Sequence, residues 1–249
     1  MSASRLSLNA SKTQEVLWLG SRHNTDRLTV REVPVLSSTV SVVGSARDLG
    51  VVIDSRLKMA DHVASAHANL RSAYYNLRQI RPTLQFLSRD AAKTIVQAFI
   101  SSRLEYCNSV LYGVTNNLLQ RLQSVQNAAA RLIKGLVAVN TSHLFCRNCT
   151  GCLSNAVWTS MAKLMFKSLH GCAPLYLSDA CKSAPEASRR LRSSGSITCV
   201  IPWSRTHLGD RSFDVVGPRL WNKLSASLWS SDSLCQFRRQ LKTFLFVKD

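Results

Sequence analysis

His143, Cys146, Cys149 and Cys152 form H-x2-C-x2-C-x2-C, the chain's most compact set of soft metal ligands. Imidazole and thiolate together suit tetrahedral zinc. The spacing argues against it. Structural zinc sites bring two ligand pairs together across a longer loop, and four ligands this close cramp a tetrahedron. Magnesium chemistry on phosphates needs a different set, clustered carboxylates. No two of the fourteen Asp and Glu are adjacent. Among the nearest spacings, Asp210 with Asp214 and Asp48 with Asp54 carry no evident strand-turn-strand signal. The histidines at 23, 62, 67, 143, 170 and 207 are scattered, with no base–nucleophile phrase beside them, and no Gly-rich phosphate loop is present.

Positive charge is the stronger signal. Thirty-two Lys and Arg against fourteen Asp and Glu leave a formal net charge of +18, with a pI near 10.2. The excess is spread along the chain. Residues 1–60 carry eight basic and five acidic side chains, residues 61–135 nine and three, and residues 136–249 fifteen and six. A hydrophobic fraction of 45% is enough to build a core. Spread charge on a globular composition points to a polyanionic partner, whose phosphates are neutralised with release of counterions. Arg71, Arg78, Arg121, Arg131 and Lys134 are the candidate phosphate contacts, and for the last three no acidic residue from 106 to 178 interleaves with them. Eight irregularly spaced cysteines in a chain of this length read as reduced thiols in an intracellular setting. No stretch is apolar and long enough for a membrane span, and no small-molecule site is evident.

The elements that would carry these side chains follow from periodicity. Residues 15–20, 28–43 and 49–53 are rich in Val, Leu, Ile and Trp and read as short strands of a small antiparallel element. A helix opens at Asp61 as N-cap, with Val63, Ala66, Leu70, Ala73, Leu77 and Ile80 as its stripe, and Pro82 stops it. A second opens at Ser88, with Ile95, Phe99, Ser102 and Tyr106 along one face and Gly113 at the end. A third follows Asn116 or Asn117. Leu118, Leu122, Val125, Ala129 and Leu132 face inward; Arg121, Gln123, Asn127, Arg131 and Lys134 face outward. These helices can bury their stripes in a compact bundle. Beyond Gly135, residues 163–170 look helical, 182–212 loop-rich, and Asp232 to Phe246 an amphipathic helix with Leu234, Phe237, Leu241 and Leu245 inward.

Several phrases, in order, resemble the reverse transcriptases of non-LTR retrotransposons (long interspersed elements) of the jockey and chicken-repeat type. They are LNASKTQEVLWLG at 8–20, LGVVID at 49–54, DAAKTIVQAFISSRLEYCNSVLYG at 90–113, LQRLQSVQNAAARLI at 119–133, FKSLHGCAPLYLSD at 166–179, and LGDRSF with GPRLWNKL between 208 and 224. The resemblance implies an α+β fold in three parts. Residues 1–58 would be residual palm strands with a primer-grip-like turn at Leu49 and Gly50. Residues 59–135 would be a helical thumb, and residues 136–249 a loop-rich, partly helical C-terminal region. It also implies that Lys12 once lay near nucleotide phosphates, and that Met1 matches a position beyond the family's catalytic Asp-Asp turn. The intact family uses Mg²⁺ on carboxylates that this chain lacks, so no cofactor is expected here.

The resemblance also bears on the cysteines. Relatives carry Leu-His-Trp-Leu-Pro-Val where this chain reads Cys149-Thr150-Gly151-Cys152-Leu153-Ser154. One codon choice for the former, read from its second base, spells the latter. A frame-shifted stretch near 139–162 would make the His143–Cys152 cluster accidental. The expectation is thus a truncated, inactive polymerase remnant that binds RNA or RNA–DNA duplex weakly and without sequence preference. The rivals are a host-recruited basic nucleic-acid-binding or interaction protein, with zinc at the cysteines, and a reading frame whose product does not fold stably.

Overall fold

A computed structural model describes residues 15–17, 19–20, 27, 29–35, 38–84, 86–134, 153–182 and 198–247. The chain is α+β, and it divides into two compact units, Met1–Arg71 and Ser72–Asp249.

In the first unit, β1 (Glu15–Leu17), β2 (Glu32–Val35) and β3 (Ser38–Val43) form a sheet in the order β1-β3-β2. The β2–β3 pairing is antiparallel, with Val33 opposite Val40. β1 joins β3 in parallel, an orientation that alternation of residue types does not encode. β4 (Ser45–Asp48) and β5 (Val51–Asp54) make a separate antiparallel hairpin in which Asp48 faces Val51 and Ser45 faces Asp54. Only Leu49 and Gly50 lie between the paired ends. Their φ angles are 44° and 85°, the doubly positive pattern of the tight turns that match strand twist.

Helix α1 (Ala60–Gln79) runs out of this unit, and its capping corrects the sequence expectation. Asp61 lies in the first turn and is not the N-cap. Asp54 organises the approach instead. Its Oδ1 accepts from the amides of Arg56 and Lys58 at 3.1 and 2.9 Å, and its Oδ2 from the amide of Met59 at 2.6 Å. Three backbone donors on one carboxylate hold a loop in which Leu57 and Met59 both have positive φ. The expected stripe is otherwise realised, with Val63, Leu70, Ala73 and Leu77 buried. The helix ends before Ile80, and Pro82 sits in the short α2 (Arg81–Leu84).

In the second unit, Ser88 caps α3 (Arg89–Val96), its hydroxyl accepting from the Ala91 amide at 3.3 Å. A π-helical turn, Gln97–Ser101, then leads into α4 (Ser102–Glu105). This turn changes the buried face. Ala92, Val96, Ile100 and Leu104 are buried at steps of four, whereas Ser102 and Tyr106 are exposed. The wider π turn rotates the chain against the ordinary period, so extrapolation from Ile95 and Phe99 failed beyond it. A 3-10 turn (Asn108–Leu111) precedes α5 (Asn116–Lys134), which buries Leu122, Val125 and Ala129 as expected.

The deepest core lies beyond. α6 (Leu153–Leu169) is a full helix that starts ten residues earlier than the helical reading from 163. Leu153, Ala156, Val157, Met161 and Ala162 are buried on it. Apolar side chains at helical spacing thus fold this segment, whatever frame its coding sequence came from. After α7 (Leu175–Asp179) and a 3-10 turn (Gly209–Arg211), the chain forms α8 (Phe213–Trp221), α9 (Ala226–Trp229) and α10 (Leu234–Val247). Ser233 caps α10, where Phe237 and Leu241 are fully buried and Arg238, Arg239 and Lys242 exposed. The Phe237 ring stacks on Phe166 at 4.6 Å between centroids and on Trp221 at 6.0 Å. α6, α8 and α10 pack together around this stack.

Candidate nucleic-acid interface

The hairpin β4–β5 presents Leu49 at its tip. The side chain is 83% exposed, on a backbone with positive φ, where a leucine is strained. Gly50 meets the same geometry without a Cβ. The hairpin is tied to the first turns of α1. Val52 of β5 donates its amide to Nδ1 of His62 at 3.3 Å, and Arg47 of β4 reaches the Ser65 hydroxyl at 3.5 Å. His62 is buried, and burial lowers its pKa, so the ring is held neutral with Nδ1 able to accept. The tip is therefore a short, anchored projection.

Arg71 and Arg78 are exposed on α1, two turns apart on one side, about 10 Å along the axis at 1.5 Å per residue. Arg121 and Arg131 are exposed on α5, about 15 Å apart along its axis. Arg131 donates through Nε to the carbonyl of Asn127 at 3.2 Å, which aligns it along the helix. Lys134 closes the last turn of α5, and its side chain lies outside the described residues, as do Lys12, His143, Cys146, Cys149 and Cys152. These four arginines are all exposed. They stand along helix faces, an arrangement that suits an extended backbone of phosphates more than a compact anion.

Gln123 departs from its expected outward role. It is half-buried, and its Oε1 accepts from the amide of Leu153 at 2.7 Å, capping α6 from α5. Its Nε2 donates to Asn127 and Gln126 at 2.9 and 3.1 Å.

Among the described residues, the acidic pairs nearest in sequence are held apart or already bonded. Asp48 and Asp54 do lie on a strand-turn-strand, contrary to the sequence reading, but at opposite ends of it. Asp48 borders the turn, and Asp54 is three residues farther along its strand, about 10 Å away. Both oxygens of Asp54 are occupied by backbone amides. Asp210 pairs with Arg219 at 3.6 Å. Among the described residues no three His, Cys, Asp or Glu come together as metal ligands, and no helix is long and apolar enough to cross a membrane.

Sequence reasoning passed over Asp54, His62 and Arg211. Arg211 donates through Nε to the Tyr112 carbonyl at 3.0 Å and reaches the Val110 carbonyl at 3.5 Å, across about a hundred residues of chain. It fills the space beside Gly113, where an added Cβ would stand 2.9 Å from its Cγ. Asp54 had a legible signal, an aspartate followed by a turn and then a helix. His62 and Arg211 had none, since burial and a distant carbonyl are properties of the fold.

The chain is similar to a protein of Drosophila melanogaster described as a probable RNA-directed DNA polymerase from transposon X-element. The two are 26% identical over 130 residues, which is 52% of this chain and 14% of that protein. The similarity relates the chain to a retrotransposon RNA-directed DNA polymerase. No family model matches the sequence, and no solved structure matches it.

Proposed function

We propose that this chain is a truncated remnant of a non-LTR retrotransposon reverse transcriptase that has lost polymerase activity and retains weak, sequence-independent binding to RNA or RNA–DNA duplex. The similarity over 130 residues supports the origin. The lack of paired carboxylates in the sequence supports the loss of chemistry. The exposed arginines 71, 78, 121 and 131, on helices with few acidic residues, carry the binding reading. In it, residues 1–58 are palm strands whose Leu49–Gly50 tip approaches a primer terminus, residues 59–135 are a thumb, and residues 136–249 follow it. Lys12 and Lys134 extend the basic contacts.

Two measurements test the reading with purified protein. Primer extension on an RNA template with Mg²⁺ should yield no product, and extension would overturn the loss of activity. Anisotropy of a labelled RNA–DNA duplex should show binding at about 50 mM salt that falls at least tenfold by about 200 mM as counterions are released. Replacing Arg71, Arg78, Arg121 and Arg131 by Ala together should shallow the salt slope by roughly one for each phosphate no longer neutralised. No binding at low salt would remove the binding role.

A further inference from the structure

The strap between Cys199 and Arg211 leaves an indole in water on a braced backbone. Trp203 is 80% exposed, and Val200 and Ile201 before it are exposed as well. Large apolar side chains side by side on a surface call for a partner. Both ends of the strap are pinned. At one end the side-chain amide of Asn222 brackets Cys199, accepting from its amide at 2.9 Å and donating to its carbonyl at 2.8 Å, while the Val200 amide donates to the Lys182 carbonyl at 2.9 Å. At the other end Arg211 is latched to the Tyr112 carbonyl.

Between the pins the backbone is braced by its own hydroxyls. Ser204 Oγ donates to the Thr206 carbonyl at 3.0 Å, and Thr206 Oγ1 accepts from the Gly209 amide at 3.0 Å. Ser204 presses so closely on Gly209 that a Cβ there would collide with its hydroxyl. A braced strap presents Trp203 with little ordering entropy left to lose on binding. The electrostatics select the partner. The Arg205 guanidinium lies 5.5 Å from the centroid of the Trp203 ring, His207 is exposed two residues on, and residues 198–209 contain no Asp or Glu. An exposed aromatic face beside fixed positive charge, on a chain of net charge +18, matches an unpaired base with its phosphate.

We infer that the strap around Trp203 and Arg205 is a stacking platform for unpaired nucleotides of a single-stranded nucleic acid. The inference rests on nucleic acid being the partner, but it adds a contact for bases that the arginines on α1 and α5 do not supply. Stacking needs an open base face, so the platform discriminates single strands from duplex. It is indifferent to sequence because every base has a π-face.

The test uses the full chain, an oligo(U) of about 12 nucleotides (within single-strand site sizes), and the RNA–DNA duplex above. Trp203→Ala should weaken oligo(U) binding by about tenfold and leave duplex binding unchanged, with an unaltered circular dichroism spectrum. Trp203→Phe should recover most of the affinity while removing the oligo(U)-dependent quench of tryptophan fluorescence. Arg205→Ala should weaken oligo(U) binding by about threefold. Wild-type affinity for oligo(U) in Trp203→Ala would overturn the inference, as would a wild-type chain that binds duplex but not oligo(U). A changed oligomeric state in Trp203→Ala with oligo(U) binding intact would overturn it in favour of a protein contact. Failure of the basic-face reading is told apart by loss of duplex binding alone.

Discussion

The N-terminal unit and the C-terminal unit are held by different kinds of interaction. On the N-terminal strands Val40 and Val51 are buried, and much of the hairpin's placement rests on side chains bonded to backbone: Asp54 with three amides, His62 with the Val52 amide. In the C-terminal unit a continuous apolar stack, Phe166, Phe237 and Trp221, joins α6, α8 and α10. The first arrangement depends on a few polar groups in the right protonation state. The second depends on filled volume, which pH in the neutral range does not touch. A two-stranded hairpin gains from such polar ties, because its short strands bury too little surface to hold by packing alone.

The largest way to break this contrast is to empty the stack. Phe237→Ala should cost about 3–5 kcal/mol in urea unfolding, since it removes a fully buried ring. A value near 1 kcal/mol would mean that the C-terminal unit is not held by that core. Next comes the latch between distant parts of the same unit. Arg211→Ala should cost about 1.5–3 kcal/mol, because it removes a charged donor from the carbonyls of the 108–112 turn. Gly113→Ala should be destabilising too, as it combines a φ of 70° with a clash against Arg211.

Titration separates the units further. The folded pKa of His62 is lowered, so the unfolded chain takes up a proton first as pH falls. Stability from this group is complete above the ordinary histidine value of 6.5 and is lost as pH drops below it. Protection factors of the β4–β5 amides, measured against the intrinsic exchange rate at each pH, should therefore fall below about pH 6.5, and His62→Asn should flatten the dependence. On the other side of the comparison, burial pushes the Cys181 and Cys199 thiols up to about 11. Here the folded state holds its protons longer than the unfolded one, so the C-terminal unit should weaken as pH rises from 9 toward 11. At neutral pH iodoacetamide should label Cys107, Cys172 and Cys235 and spare Cys181 and Cys199 until the core opens. The smallest effect is at the hairpin tip. Leu49→Asn should stabilise by about 0.5–1 kcal/mol, because asparagine tolerates positive φ better than leucine. If the strained leucine serves binding, the same change should weaken duplex affinity while raising the melting temperature.

Much of the helical layout was legible because amphipathic spacing is a local property. Leu70, Ala73 and Leu77, or Phe237 and Leu241, recur at the helical period and are buried where that period puts them. The Leu49–Gly50 turn came only from the family resemblance; residue types put 49–53 in a strand, and β4, whose Ser45, Arg47 and Asp48 flank a single apolar Ala46, was not read at all. The face of α3 was misread past residue 97 because a π turn breaks the period without any marker residue. The start of α6 was missed because its first half lacks charged residues to mark a polar side. As for the interface, the sequence supplied the arginines but not their surroundings, and it pointed to no role for Trp203.

By itself, then, the sequence determined the charge of the chain, the absence of paired carboxylates and the inward faces of its regular helices, because composition and period need no knowledge of distant residues. Only the tertiary structure decided that His62 is buried and neutral, that Gln123 caps a helix thirty residues away, and that Trp203 is left in solvent on a braced strap. Each of those depends on which groups far apart in the chain come within hydrogen-bonding reach or exclude water from one another, and local spacing carries no record of that.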